Sequence, residues 1–270
     1  MFPKVFTIGD FFLPTYGVLV ALGFLAGLSV SVRHAKRNGL DPDVIGNLAV
    51  YCALAGLVGA KLFMFLLDWD YYTQNPGRVF SLETLLSAGV YYGGFLAALA
   101  FAWFYVRRHN MPWLTVADVL APGAALGHAI GRLGCFAAGC CWGKECHLPW
   151  AVRFMNPDAH AITGVPLGVY LHPSQLYEAG LTFLVFLAVQ WRALRPHATG
   201  TVLGLYLTLY SIARFGVEFV RAHDQPFPFG GPFSSTQWVA LGLLVAGVWL
   251  MVRGRKPVAM AVSQPGQSSR

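Results

Sequence analysis

Long apolar stretches separated by short polar segments run through the whole chain. A membrane-spanning helix needs about 20 mostly apolar residues, and seven stretches have this character, with few or no charges inside them. The pattern predicts an all-α, polytopic integral membrane protein whose seven transmembrane helices form a single domain over residues 1–270. The stretches are Leu13–Val32, Ile45–Leu67, Thr84–Val106, Val116–Ala138, Leu176–Trp191, Thr201–Val220 and Ser235–Val252.

The segments between these stretches are too short to hold a separate soluble domain. The longest, Gly139–Gln175, is rich in Pro, Gly and His, and it predicts a small extramembrane head. Residues 253–270 form a polar tail.

The charges are few and unevenly distributed. Lys, Arg, Asp and Glu make up 11% of the chain and hydrophobic residues 56%, whereas a typical globular protein has roughly 25% charged residues. This excludes a soluble enzyme, a disordered chain and a typical nucleic-acid-binding protein. Loops rich in Lys and Arg generally face the cytoplasm. In this chain one set of loops holds most of the basic residues, namely Arg33, Lys36, Arg37, Arg107, Arg108, Arg192, Arg195, Arg253, Arg255, Lys256 and Arg270.

This distribution predicts an N-terminus outside the cell, a C-terminus inside it and a periplasmic head, in the bacterial cytoplasmic (inner) membrane. Most of the net charge of +7 then faces anionic membrane lipids. No nucleic-acid partner is expected.

Ionisable residues inside the apolar stretches cost about 2.5–3.5 kcal/mol each on insertion scales, so each one indicates a function or a partner. Arg214 and Glu218 are i,i+4 on one helix face and can pair with each other. Asp118 and Glu178 lie near the ends of their stretches, where interfacial water can reach them. The Lys, Arg, Asp and Glu residues inside the stretches are Lys61, Asp118, Arg132, Glu178, Arg214 and Glu218.

Arg132 lies in the segment Gly127-His-Ala-Ile-Gly-Arg-Leu-Gly134, where small residues surround it. Glycines allow another helix or a ligand to approach the backbone closely. A guanidinium makes planar, bidentate contacts with phosphate or carboxylate. Arg132, Arg214 and Lys61 therefore indicate a site for an anionic lipid head group at membrane depth.

Four of the five cysteines lie close together in the pattern C-x4-C-C-x4-C. On an oxidising face of the membrane, this density favours one or two disulfides or thiols that stiffen the head. A zinc site with His147 and His128 as further ligands is the rival interpretation, but the usual C-x2-C pair is missing. We therefore expect no bound metal, and the disulfide connectivity stays open. The cysteines are Cys135, Cys140, Cys141 and Cys146.

Four motifs resemble, in order and spacing, those of the prolipoprotein diacylglyceryl transferase family. The heptapeptide HPSQLYE is the most specific, because seven fixed residues seldom recur by chance. The motifs are Tyr16-Gly17, Gly131-Arg132-Leu133-Gly134 running on to Trp142-Gly143, His172-Pro-Ser-Gln-Leu-Tyr-Glu178, and Arg214-Phe-Gly-Val-Glu-Phe-Val-Arg221.

The resemblance implies transfer of the diacylglyceryl group from phosphatidylglycerol to the lipobox cysteine of prelipoprotein signal peptides. A thioether forms and glycerol phosphate leaves, which is the first step of bacterial lipoprotein maturation. No cofactor is implied. The alternatives are a different acceptor on the same fold, and a phospholipid-binding or transport protein without catalysis.

The resemblance also implies roles for individual residues. Arg132 and Arg214 match the two arginines of the family, and Glu218 is the partner carboxylate of Arg214. The expected catalytic residues are Arg132, Arg214, Glu218, Tyr92 and His172. The expected substrate-binding residues are Tyr16, Lys61, Gly93, Gly94, Gly134, Gly143, Ser174, Gln175 and Arg221.

Three positions depart from the family pattern. Tyr92 stands where the family has a histidine before a Gly-Gly pair, and Cys135 and Cys140 replace an asparagine and a glutamate. A phenol with a pKa of about 10 is a poor base at neutral pH, but it can donate a hydrogen bond to a phosphate or an ester oxygen. His172 is a second candidate for the base, and a structural role for it is an equal alternative.

Overall fold

The structure of the chain is a computed structural model, and it divides into two compact units. One unit combines Met1–Gly39 with Ala117–Arg270, and the other is Leu40–Val116. The predicted polar tail lies outside the described residues except for Arg253. The described residues are 2–8, 11–81, 84, 89–222 and 230–253.

Helices dominate the described residues, as the apolar pattern predicts. They are α1 (Thr15–Arg37), α2 (Pro42–Leu67), α3 (Trp69–Gln74), α4 (Tyr91–Arg108), α5 (Trp113–Ala138), α6 (Pro157–Thr163), α7 (Ser174–Ala193), α8 (Thr201–Glu218) and α9 (Ser235–Val252). Two short antiparallel pairs accompany them, formed by β1 (Lys4–Ile8) with β2 (Phe11–Pro14) and by β3 (Val152–Arg153) with β4 (Tyr170–Leu171).

Several of these helices have the length and composition of membrane spans. Within the described ranges, α1, α2, α5 and α9 are long and apolar enough to cross a bilayer. Their outward side chains are apolar: Leu57 is 67% exposed and Val245 is 70% exposed. Such surfaces suit a hydrocarbon environment, so the chain is a multi-pass membrane protein.

The third apolar stretch differs most from its helix. The predicted span begins at Thr84, which is itself helical. Residues 85–88 lie outside the described residues, and the described helix α4 begins at Tyr91. Gly89 precedes it with a φ of +71°, a left-handed conformation that glycine adopts without strain and that does not continue a right-handed helix.

Helices α1 and α5 cross at close range through glycines on both sides. A Cβ added to Gly27 would lie 2.5 Å from the carbonyl oxygen of Gly123, and one added to Gly23 would lie 2.8 Å from that of Gly127. The two backbones therefore touch, as in other membrane helix pairs with small residues at the interface. The crossing fixes the course of α5 towards Arg132.

Asp118 on α5 anchors the start of α8. Its carboxylate accepts hydrogen bonds from the amides of Gly200 at 2.6 Å and Leu203 at 2.8 Å. These are among the amides that a helix N-terminus leaves without an internal partner. We expected interfacial water around Asp118, but it is buried against backbone amides.

The second unit is built around the pairing of α2 with α4. A Cβ on Gly94 would lie 2.8 Å from the carbonyl oxygen of Gly56, and one on Gly93 would overlap Phe63. Both glycines of the predicted substrate-binding pair therefore allow close helix packing inside this unit.

The segment predicted as an extramembrane head has a small hydrophobic core of its own. Phe154, Ala159, Val165 and Leu171 form it, with Trp142 packed against it. The core joins the β3–β4 pair to α6, and it supports the backbone that runs from α5 to α7.

Candidate active site

Four charged side chains from three helices meet in the first unit, and all but the half-buried Arg132 are buried. Nη2 of Arg132 on α5 lies 2.9 Å from Oε1 of Glu178 on α7, and Nε of Arg214 on α8 lies 4.0 Å from the same oxygen. Arg214 also forms an ion pair with Glu218 through Nη1 and Oε2. We call Arg132, Glu178, Arg214 and Glu218 the ion cluster.

Two further polar groups contact the ion cluster. Oγ of Ser234, the N-cap of α9, donates to Oε1 of Glu218 at 2.7 Å. Nε2 of His128 lies 3.2 Å from Oε1 of Glu178 and 3.3 Å from Nε of Arg132. When Nε2 carries a proton it donates to the carboxylate, and when it does not, it accepts from the guanidinium.

The charges of the ion cluster balance, because two guanidiniums face two carboxylates. Such pairing offsets the cost of burying each ion. Arg132 is the more exposed arginine, with 17% of its side chain accessible against 7% for Arg214. A guanidinium has five N–H donors, so Arg132 can bind an added anion while it keeps a contact with Glu178.

The HPSQLYE motif links the ion cluster to the loop after α5. Oγ of Ser174 donates to the carbonyl of Cys141 at 2.8 Å, and Nε2 of Gln175 donates to that of Cys140 at 2.7 Å. Oε1 of Gln175 is buried and has no hydrogen-bond partner among the described residues. One turn further along α7, Glu178 holds both arginines, so a single helix face positions the loop and the charges.

Gly143 lies between two backbone segments where a side chain does not fit. A Cβ there would lie 2.5 Å from Cβ of His172 and 2.7 Å from the carbonyl oxygen of Val220. Its amide donates to the carbonyl of His172 at 3.1 Å, and it forms an isolated β-bridge with Arg221. Gly143 thus joins the segment before α7 to the end of α8.

Two other predicted residues of this unit lie beside the ion cluster's elements. Tyr16, in the first turn of α1, packs against Gly134: a Cβ on that glycine would lie 3.3 Å from Cδ2 of the tyrosine. The ring of His172 contacts Tyr177, whose hydroxyl lies 3.3 Å from Nδ1. Within the described contacts, His172 does not join the ion cluster.

The remaining predicted residues belong to the second unit. Lys61 on α2 donates through Nζ to the carbonyl of Thr84. Tyr92 on α4 makes an edge contact with Tyr91, with ring centroids 5.8 Å apart. Roles of these side chains in substrate binding or catalysis stay predictions.

Three of the clustered cysteines converge at the C-terminal end of α5. The sulfur atoms of Cys135, Cys140 and Cys141 all lie within 4.8 Å of one another. All five cysteines of the chain are unpaired thiols in this structure. A disulfide among them stays a prediction.

Glu178, His128 and Ser234 were missed as site residues. We placed Glu178 near interfacial water, but it is 3% exposed and lies at the centre of the ion cluster. Its position as the last residue of HPSQLYE was the available signal. His128 precedes Arg132 by one helical turn, which puts both on one face. The sequence contains no comparable signal for Ser234.

Comparisons with known proteins show which family the chain resembles. A family model described as prolipoprotein diacylglyceryl transferase matches residues 3–253. The chain is similar to proteins named phosphatidylglycerol–prolipoprotein diacylglyceryl transferase from several bacteria. The one from Clostridium tetani is 30% identical over 93% of this chain and 96% of its own length. The protein from Nitratidesulfovibrio vulgaris (strain Miyazaki F) is 34% identical over 94% of this chain and 94% of its own length. The protein from Gloeobacter violaceus is 31% identical over 95% of this chain and 96% of its own length.

The match extends over nearly the whole chain and includes every helix that contributes to the ion cluster. The chain belongs to the prolipoprotein diacylglyceryl transferase family.

Proposed function

We propose that this chain transfers the diacylglyceryl group of phosphatidylglycerol to the lipobox cysteine thiol of prelipoprotein signal peptides. The C–O bond between the diacylglyceryl carbon and the phosphate oxygen breaks, and a C–S bond forms in its place. Glycerol phosphate leaves, and the thiol proton passes to a base. The observation that carries the proposal is the partly accessible Arg132 held by Glu178 inside an apolar bundle.

The two arginines stabilise the leaving group. Negative charge accumulates on the phosphate as the C–O bond breaks, and fixed cations in a water-poor site lower that barrier. Arg132 is the direct partner of the phosphate. Arg214 contributes its positive charge from the other side of Glu178. Its guanidinium is held by Glu218, which in turn accepts a hydrogen bond from Ser234.

Gln175 is a candidate for binding the head group. Its Oε1 is a buried acceptor without a partner among the described residues, and an unpaired buried acceptor costs free energy unless a ligand donates to it. The glycerol hydroxyls of phosphatidylglycerol are donors of the right kind.

His128 is the base that the contacts favour for the thiol. It touches both Arg132 and Glu178, whereas His172 contacts Tyr177. A cysteine thiol has a pKa of about 8.5, so it needs a base or a positive field to form the thiolate. His128 can act as the base, and the adjacent Arg132 supplies the positive charge. Tyr92 stays a candidate hydrogen-bond donor to a phosphate or an ester oxygen.

The topology that we propose is a single transmembrane domain with seven spans in the inner membrane, N-terminus outside and C-terminus inside. Three arginines at proposed cytoplasmic helix ends lie over a tryptophan one turn earlier. The pairs are Arg107 over Trp103 at 4.3 Å, Arg195 over Trp191 at 3.8 Å and Arg253 over Trp249 at 4.6 Å. Tryptophan and arginine are the side chains expected at a cytoplasmic interface.

The test is release of glycerol phosphate from phosphatidylglycerol, measured with and without a lipobox peptide. Arg132→Ala and Arg214→Ala should each lower release by at least about 100-fold, the usual cost of removing one group that stabilises charge in a transition state. Arg192→Ala, which removes a charge at the end of α7 outside the ion cluster, is the matched control and should retain activity.

Full activity in both cluster variants would refute the proposal. Release without any label on the peptide thiol would indicate a different acceptor. Lipid binding by the wild-type protein without release would indicate a transport or binding protein.

A further inference from the structure

The three converging thiols have no part in the proposed transfer, although they adjoin its central arginine. Cys135 lies one turn beyond Arg132 on α5, and Nη1 of Arg132 lies 3.8 Å from its sulfur. Cys140 and Cys141 follow in the loop, and all three sulfur atoms lie within 4.8 Å of one another.

The end of α5 brings Cys140 back onto Cys135. Gly139 adopts a φ of +84°, and its amide and that of Cys140 both donate to the carbonyl of Cys135, at 3.0 and 3.1 Å. This is the usual glycine-terminated end of a helix. Cys141 then adopts a φ of +60°, which costs free energy for a residue with a Cβ and turns its side chain towards the other two.

Side chains of helix α7 donate hydrogen bonds to the backbone of this loop. Ser174 and Gln175 bind the carbonyls of Cys141 and Cys140, and neither bond involves a sulfur atom. The three thiols are therefore held close together by backbone contacts and remain available as ligands. Such preorganisation is what a tight binding site requires.

The spacing and charge of the thiols suit a soft metal ion. With Zn–S bonds of about 2.3 Å, three sulfurs around one ion lie about 4 Å apart, so small side-chain rotations suffice. Three thiolates around Zn²⁺ carry one net negative charge, and the guanidinium of Arg132 lies beside that charge, with Nη1 3.8 Å from the sulfur of Cys135.

Although the missing C-x2-C pair predicts no bound metal, the convergence of the three sulfur atoms points the other way. We propose that Cys135, Cys140 and Cys141 form a binding site for one thiophilic metal ion of the Zn²⁺ or Cu⁺ class. Thiolates select these ions over Mg²⁺ or Ca²⁺. The site goes beyond the proposed transferase function, and a disulfide within the same three cysteines is the alternative state of these thiols.

The test uses the full chain, purified in detergent, reduced and kept free of oxygen. One sample is loaded with Zn²⁺ and another with Cu⁺, and retained metal per chain is measured against a series of chelators. We expect one ion per chain, and the chelator series shows which ion binds more tightly.

Cys135→Ser, Cys140→Ser and Cys141→Ser should each weaken metal binding by at least about 100-fold. Even mutation of residues that only hydrogen-bond to the metal ligands lowers metal affinity by about 10–100-fold. Cys52→Ser and Cys146→Ser, outside the cluster, are the matched controls and should bind as the wild type does.

A second measurement needs no variant. Bound metal should protect three of the five cysteines of the wild-type chain from iodoacetamide, and leave Cys52 and Cys146 unchanged. The proposal is overturned if no ion is retained in either sample, if other cysteines are protected, or if the trio is isolated as a disulfide that resists reduction. Metal retention is measured without lipid, so its failure leaves the transferase proposal intact.

Discussion

One carboxylate oxygen contacts three of the side chains that form the candidate site. Oε1 of Glu178 lies within 4.0 Å of side-chain nitrogens from Arg132, Arg214 and His128. The Arg214–Glu218 pair was predictable from its i,i+4 spacing. The role of Glu178 was not, because its partners lie on other helices and only tertiary packing brings them together.

Glu178→Gln should destabilise the protein strongly. The amide keeps the shape of the side chain but leaves the buried charge of Arg132 uncompensated, and breaking such a pair costs about 3–5 kcal/mol. We expect a lower unfolding temperature in detergent, together with a loss of glycerol phosphate release.

Glu145→Gln is the control for this change, since Glu145 is exposed in the head and surface substitutions cost about 0.5 kcal/mol or less. Equal unfolding temperatures for the two variants would contradict the central role of Glu178.

At the scale of elements, the apolar pattern located the helices well and their ends less well. The last stretch and α9 coincide, at Ser235–Val252, because a Ser234–Gln237 capping box and a change in polarity mark the same boundary. The start of α4 follows the left-handed Gly89, which hydropathy does not reveal. The two-residue strands β3 and β4 form only because the head folds around Phe154, and so no local pattern predicts them.

Gly27→Ala should separate α1 from α5. The added Cβ would lie 2.5 Å from the carbonyl oxygen of Gly123, and overpacking of this kind costs about 1–3 kcal/mol. Gly180→Ala on α7 is the matched control, because a Cβ there meets nothing within 4 Å.

Thermal unfolding in detergent measures both glycine variants. We expect a lower unfolding temperature for Gly27→Ala and an unchanged or higher one for Gly180→Ala. If Gly27→Ala unfolds at the wild-type temperature, the close crossing is not an important contact.

At the scale of the whole molecule, the sequence predicted a membrane protein of this family correctly. The family match and the apolar helices confirm both, because composition and specific motifs are visible without a structure. The seven-span topology and its orientation stay predictions. Hydropathy and loop charge determine them through interactions with the lipid bilayer, and not through contacts within the protein.

The orientation can be measured with an amine reagent that does not cross membranes. Lys144 in the head and Lys36 at the end of α1 are both exposed, and they should lie on opposite sides. Spheroplasts should label Lys144 and spare Lys36, and inside-out vesicles should show the reverse. Labelling of Lys36 in intact spheroplasts would reverse the proposed topology.

The pairing of Arg132 with Glu178 has a consequence for turnover. The guanidinium already holds an anion before any lipid arrives. In the proposed reaction, the phosphate of the substrate therefore has to share Arg132 with a resident carboxylate or displace it. After the C–O bond breaks, the same carboxylate competes with glycerol phosphate for the arginine and speeds its departure. We therefore expect weak product inhibition, because the protein supplies its own competitor for the binding site.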